Sequence, residues 1–369
     1  MPTFRLKSIP GALVRHASRG AFSRARVKAK PAVSGACLAA SILATPALAQ
    51  DPAAFYAGRN VDFIIGSAAG GGYYVYANVL SRHIGKHIPG KPQVVARLME
   101  GAGSLTAANQ LYSRLPADGT AFGAVFTGAI VEPLIGDQAK ARYDSRKFGY
   151  VGSANRETSI CYAHKDAGFR DWSDALTKKL IVGGAGWASS IRQFPAVLNK
   201  VIGTKFEIIT GYPGSKEAVQ AVEKGEVQGT CGIQLSSFMP TNGAWIESGF
   251  IKVFGQISAP PGDPAMNRLG VQNIWDAVKN EEDRKVLELV FNQSEFGRPY
   301  ITPPGVPPER LKALRDAFDA TMKDPDFLAE AAKAQLPINP MGGDEFARVV
   351  QKLYEVPDAL VKRAREALE

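Results

Sequence analysis

Histidine and cysteine are scarce, four and three among 369 residues. Beyond residue 50 only His83, His87 and His164 remain, so a nucleophile has almost no imidazole to serve as its base. Ser104 and Ser190 sit in glycine-containing loops, but neither stands in a G-x-S-x-G elbow. There is no G-x-x-x-x-G-K-[ST] phosphate loop, and the first glycine loop lacks the G-x-G-x-x-G spacing of a dinucleotide site. His83 and His87, four apart on an expected helix, have the spacing of a metal pair. With no Glu between them and no third ligand nearby, an exposed helix face is the better reading. These absences point away from an enzyme and from any cofactor or metal.

Acidic residues are missing altogether from residues 1–50, which carry eight basic ones, Arg5 to Lys30. An alanine-rich apolar stretch, Ala32 to Ala49, follows and ends Ala47-Leu48-Ala49-Gln50. Small residues at 47 and 49 fit signal-peptidase cleavage after Ala49, so residues 1–49 read as a signal peptide and the mature protein as periplasmic. The apolar run is too short and alanine-rich for a lasting membrane span. Ser34-Gly35-Ala36 before Cys37 lacks the aliphatic residue of a lipoprotein site. An organelle transit peptide is the alternative for such an acid-free leader. Val27 could also be the true start, which would shorten the basic part.

The leader accounts for the charge. The net charge is +9, but eight of the 44 Lys and Arg lie in the leader, and the remaining 36 nearly balance 35 Asp and Glu. No basic run with interleaved aromatics survives, which excludes a nucleic-acid surface. The mature chain keeps two cysteines, Cys161 and Cys231, each beside an apolar strand-like run. In an exported protein such a pair fits a disulfide, and two small buried hydrophobes are the alternative.

From Val61 to Gly128 the pattern runs strand, helix, strand, helix, strand, the signature of a parallel sheet in an α/β protein. Val61–Ile65 leads into Gly66-Ser67-Ala68-Ala69-Gly70-Gly71-Gly72, and Val94–Leu98 into Gly101-Ala102-Gly103-Ser104. Ala121–Phe126 is read as a third strand, followed by Thr127-Gly128. A second series begins at Leu180–Val182 with the loop 183–190. It continues through Phe206–Thr210, the loop Gly211-Tyr212-Pro213-Gly214-Ser215, a helix from Lys216 and a strand at Val227–Cys231. Ile251–Ile257 is expected to return to the first part. The remainder reads as helical: Ile274–Phe291, Pro308–Lys323, Asp326–Ala334 and Gly343–Leu368. Each glycine turn between a strand and a helix leaves unpaired N–H groups at the helix start, where the dipole favours an anion. Turn geometry and close helix–strand packing are the alternative reason for any one of these glycines.

In this order, Ile64-Ile65-Gly66-Ser67-Ala68-Ala69-Gly70-Gly71, Gly101-Ala102-Gly103-Ser104, Asp118-Gly119-Thr120, Gly211-Tyr212-Pro213-Gly214-Ser215 and Gly225-Glu226-Val227-Gln228-Gly229 resemble the Bug family, the substrate-binding receptors of tripartite tricarboxylate transporters. The similarity spans nearly all of the chain after the leader. It implies a two-lobe type II periplasmic-binding fold, each lobe a mostly parallel sheet flanked by helices. The first lobe would comprise 50–154 and 255–369, the second 155–254. It also implies a monomeric receptor that takes a small carboxylate in the cleft and meets integral-membrane transporter subunits transiently. A periplasmic adaptor for a two-component sensor would share the fold, and an exported hydrolase or transferase is the rival from another class.

The ligand would be held by Ser67, Ala68, Gly70, Gly71, Tyr74, Gly103, Ser104, Thr127 and Gly128 from one lobe. Trp187, Ser189, Ser190, Tyr212, Gly214 and Ser215 would close from the other. Tyr74 stands where the family commonly has an Asp, which predicts a preference for acids without an amino group. Leu98, Glu100 and Gln228 also depart from the family pattern. Intact-mass analysis of the exported protein should show a mature chain beginning at Gln50; an intact Met1 would overturn the leader.

Overall fold

The computed structural model describes residues 51–369. The expected leader, its cleavage point and Cys37 lie outside the described residues. The strands, in chain order, are β1 (Asn60–Ile65), β2 (Gln93–Leu98), β3 (Ala121–Ala124), β4 (Gly149–Ser153), β5 (Ser159–His164), β6 (Leu180–Gly183), β7 (Phe206–Ile209), β8 (Gly229–Gln234), β9 (Ile251–Ile257), β10 (Pro299–Thr302) and β11 (Met341–Gly342). They form two sheets, ordered β11-β4-β10-β3-β1-β2 and β7-β6-β8-β5-β9.

Each sheet repeats one device. A strand–helix–strand–helix–strand series places its first strand in the middle, β2-β1-β3 and β7-β6-β8, with all neighbours parallel. β1 and β3 are apolar because helices cover both faces; Phe63 and Phe122, paired in register, stack with ring centroids 4.3 Å apart. Both sheets are more mixed than expected, since β10, β4 and β11 continue the first antiparallel and β5 and β9 continue the second antiparallel.

β10 and β11 lie in the region read as helical. β10 is only four residues and opens on Pro299, a position where a strand tolerates proline. Too short for a period, it is a strand because β3 and β4 flank it. Ile251–Ile257 does not return to the first sheet: β9 pairs with β5, and Gly255, Gln256 and Ile257 lie opposite Cys161, Ile160 and Ser159. The second sheet therefore extends past the expected boundary at 254. The helix expected over 343–368 is two, Gly343–Leu353 and Asp358–Leu368, broken before Pro357. That expected over 274–291 is α-helical only over Glu281–Phe291, where the Asn280 side chain caps the Asp283 N–H at 2.8 Å.

Helix Gly72–His83 buries Tyr76, Ala77, Val79 and Leu80, one face at helical spacing. Its far end is pinned to helix Pro325–Lys333. His83 Nε2 lies 2.6 Å from Glu330 Oε2, and His87 Nε2 lies 2.6 Å from Asp324 Oδ2, which Lys86 also meets. The two histidines thus face separate carboxylates rather than open solvent. Hydrogen bonds from Lys86 and His87 hold the Asp324 carboxyl well below the usual range despite its burial. Among the described residues no helix is long and apolar enough to cross a membrane.

Cys161 on β5 and Cys231 on β8 stand opposite each other, fully buried and joined as a disulfide. Closing a loop of that length should stabilise the protein by about 2–4 kcal/mol. Denaturant titration with and without reductant should show that difference. Alkylation without reductant should label neither thiol.

Candidate functional site

The parallel strands end in glycine loops on the edge where open α/β sheets bind ligands. After β1, Gly70 takes φ +83° and Gly71 opens helix Gly72–His83 with no side-chain cap. After β2, four successive residues have positive φ: Gly101, Ala102, Gly103 and Ser104. Ala102 and Ser104 pay for that conformation, and such cost gathers at functional sites. After β3, Thr127 does not end a strand: β3 stops at Ala124, and Thr127 begins the helix Thr127–Ile135.

Gly70 and Gly71 meet Ser215 from the second sheet's helix Ser215–Glu223 across a cavity of about 420 Å³. Lys216, Ser236 and Ser237 are on its polar wall, with Gln220, Glu223, Thr241 and Asn242 further along it, and Val219, Ile233, Trp245 and Leu336 are apolar. Gly214 caps the second helix without a side chain, and Glu217 sits in its first turn. Ser67 is buried on the first loop, and its hydroxyl has no hydrogen-bond partner among the described residues.

A second group meets by backbone contact. A Cβ on Gly103 would lie 2.8 Å from the Ala188 nitrogen and 2.9 Å from the Ser189 nitrogen. A Cβ on Gly128 would run into the Ala188 carbonyl oxygen, and one on Gly186 into the Gly103 nitrogen. Glycine is what lets the loops of the two sheets touch.

The other expected residues are placed differently. Ser104 Oγ donates to Gly66 O at 2.7 Å and accepts from Phe126 N at 2.9 Å, tying three loops together. Ser190 Oγ donates to Gly232 O at 2.7 Å. Both hydroxyls are committed to structure. Trp187 lines a separate cavity of about 270 Å³ with Arg365 and Leu368, and Lys140 and Arg192 cap its ring at 3.4 and 3.5 Å. The Tyr212 hydroxyl is 3.4 Å from Glu226. Ala68 is half-buried on the first loop. Tyr74, expected at the cleft, packs against the core containing Tyr76, Leu80 and Phe327, and is not among the residues of the Gly70 cavity.

Its neighbour Tyr73 is the one that crosses. Its hydroxyl accepts from Gln234 Nε2 at 2.9 Å and from the Thr127 N–H at 3.3 Å, and its ring lies 4.4 Å from that of Phe126. Thr127 Oγ1 donates to Gln293 Oε1 at 2.8 Å, and Gln193 Nε2 donates to Glu132 Oε2 at 2.9 Å. Burial pushes the Glu132 carboxyl up. At the other end, Arg298 is buried with Nε 3.1 Å from Glu157 Oε1, and it donates to Gln234, Ser236 and Ser237. Tyr73 and Tyr76 rings lie 4.3 and 4.7 Å from its guanidinium. Burial works against that charge, but Glu157 and the surrounding tyrosines more than offset it.

Lys216, Ser236, Ser237, Arg298 and Glu157 were not among the residues expected from the sequence. Ser236 and Ser237 were within reach, because they follow β8 as Ser215 follows β7. Nothing local marks Arg298.

No family model matches the chain. A curated relative, the "UPF0065 protein in gbd 5'region" of Cupriavidus necator, is 23% identical over 357 residues, covering 91% of this chain and 96% of the relative. Among solved structures, the periplasmic binding protein BugD matches with a TM-score of 0.66 at 17% identity, over 85% of this chain and 98% of its own. MatC of Rhodopseudomonas palustris, solved with bound malate, matches with a TM-score of 0.63 at 18% identity, over 85% and 99%. The chain has the fold of these two proteins, and the first of them carries the name of the Bug kind that its motifs resemble.

Gly128 lies inside a helix without positive φ, so alanine there should suit the backbone and gain up to about 1 kcal/mol of helix propensity. Its methyl would nevertheless press on the Ala188 carbonyl. Gly128→Ala should therefore keep its helix content by circular dichroism and show a larger radius of gyration by X-ray scattering. An unchanged radius would mean that the seam absorbs the methyl.

Proposed function

We propose that the protein is an exported receptor that captures a small carboxylate between its two sheets and presents it to an integral-membrane transporter. The observation that carries this reading is the Gly70–Ser215 cavity, where a bare helix N-terminus, Lys216 and the Ser237 hydroxyl face one space from both sheets. Free N–H groups at such a terminus take the place of the ligand's water, and hydrogen bonds to a charged acceptor are the stronger kind. Glu217 occupies the first turn of the opposing helix, so the carboxylate belongs at the Gly71 end. Lys216, exposed on the cavity wall, supplies a cation to that anion, whereas the unpartnered Ser67 hydroxyl is buried on the same loop away from the wall.

Nothing in this arrangement attacks a bond. The hydroxyls of Ser104 and Ser190 are committed, and His83 and His87 are ion-paired. The Ser236 hydroxyl meets the Glu157 carboxylate only within the buried Arg298 ion pair, which holds that carboxylate as a counter-charge rather than a base. The part bearing the second sheet, which strand pairing extends to Ile257, would swing against the first as the cleft opens and closes.

A thermal-shift panel of malate, citrate, adipate and aromatic monocarboxylates tests the reading. A true ligand at a hundred times its Kd stabilises the protein by about 2.7 kcal/mol and is recovered chemically unchanged. Lys216→Ala should weaken that ligand about tenfold, a hydrogen bond between charged groups being worth about 1.5–3 kcal/mol, and, the side chain being exposed, leave the unliganded protein as stable as before. Stabilisation by none of these acids, or turnover of one, would defeat the receptor reading.

A further inference from the structure

A second cavity, of about 440 Å³, shares no residue with the one at the glycine loops. Its wall includes the chain leaving β9, Ile257 to Pro260, and the chain approaching β10 at Asn292, Ser294 and Glu295. It therefore touches the connection between the two sheets. Helix Glu281–Phe291 and the two C-terminal helices close the remaining sides.

Its interior is apolar, with Trp275, Leu289, Phe291, Leu353 and Leu360. The indole N–H of Trp275 already donates to Ser258 O at 2.8 Å, and its ring packs against the Arg284 guanidinium at 4.9 Å and the Phe291 ring, so it has no hydrogen bond left to offer. The charges on the wall do not cancel. Arg284 pairs with Glu288 at 3.0 Å, and Glu295 is taken by Arg156 at 2.6 Å. Lys285 and Lys352 are left, exposed on two different helices, with no carboxylate within ion-pair distance among the described residues.

An apolar interior of ligand size with two cations at its edge selects a particular chemistry. We propose that this cavity is a second binding site, for an amphipathic monoanion whose apolar body fills the interior and whose single acidic head meets Lys285 and Lys352. A neutral body would leave the lysines unused. A dicarboxylate of the same length would force its second charge among leucine and phenylalanine side chains, at the cost of burying an unpaired ion. The site is independent of the carboxylate receptor reading, because it uses none of the same residues.

Calorimetry with octanoate, octanol and suberate tests it on the full exported protein. Octanoate should bind saturably at one site, with octanol and suberate each about tenfold weaker or more. The double charge reversal Lys285→Glu/Lys352→Glu should weaken octanoate about tenfold and leave octanol unchanged. Leu360→Trp, which fills the interior, should abolish both. Should that variant fail to fold, the exposed lysine pair still decides. Absence of saturable octanoate binding would overturn the site, as would octanoate binding that survives both lysine reversals. Loss of octanoate binding in Lys216→Ala would also overturn it, by placing the acid at the glycine loops.

Discussion

A guanidinium with 1% of its surface exposed stays charged only if the protein answers both its N–H groups and its charge. Arg298 is answered from both sheets at once. Glu157 comes from the connection between β4 and β5, Gln234, Ser236 and Ser237 from the end of β8, and the rings of Tyr73 and Tyr76 from the helix behind the first glycine loop. The Arg298 N–H donates to Ser153 Oγ at 3.0 Å, fixing where β10 begins. Removing one partner of such a buried pair strands the other charge, a penalty of about 3–5 kcal/mol. The wall of the Gly70 cavity inherits its position from this point, since Ser236 and Ser237 are both Arg298 acceptors and cavity residues.

Against that fixed point the loops of the two sheets meet backbone to backbone. Gly103 and Gly128 bring Ala188 within reach, and Gly186 brings Gly103 and Ala102 within reach, because none of the three carries a Cβ. The left-handed run 101–104 turns the chain sharply enough for the Ser104 hydroxyl to reach Gly66 O and Phe126 N, so the ends of β1, β2 and β3 are bound to one another. The edge where a ligand would sit is thus rigid where three strands end and dependent on small residues where the sheets touch. Its polarity is divided between backbone N–H groups on the first sheet's side and side chains such as Lys216, Ser236 and Ser237 on the second's.

Much of this was legible locally. Alternating apolar runs and glycine turns placed β1, β2, β3, β6 and β7 close to where they lie, and Cys161 and Cys231 were read as a pair from the expected export leader and their apolar strand-like settings. The glycine loops were legible too, because a turn with positive φ restricts its residues wherever it occurs. Among the tyrosines, sequence singled out Tyr74, whereas Tyr73 is the one that crosses to the second sheet. Which one depends on the rotation of helix Gly72–His83, and that is set by contacts with Phe327 and Glu330 more than 240 positions away.

The sequence by itself determined the α/β class, the order of the strand–helix units and the positions of the bare helix starts, because those follow from periodicity and turn chemistry within a few residues of each other. Tertiary structure alone decided that Pro299–Thr302 is a central strand and that Arg298 joins the two sheets. It also decided that Trp187 turns away from the Gly70 cavity while Lys216 lines it. Each of these depends on partners distant in the chain, and a burial or a charge pairing acquires its energy only when those partners arrive.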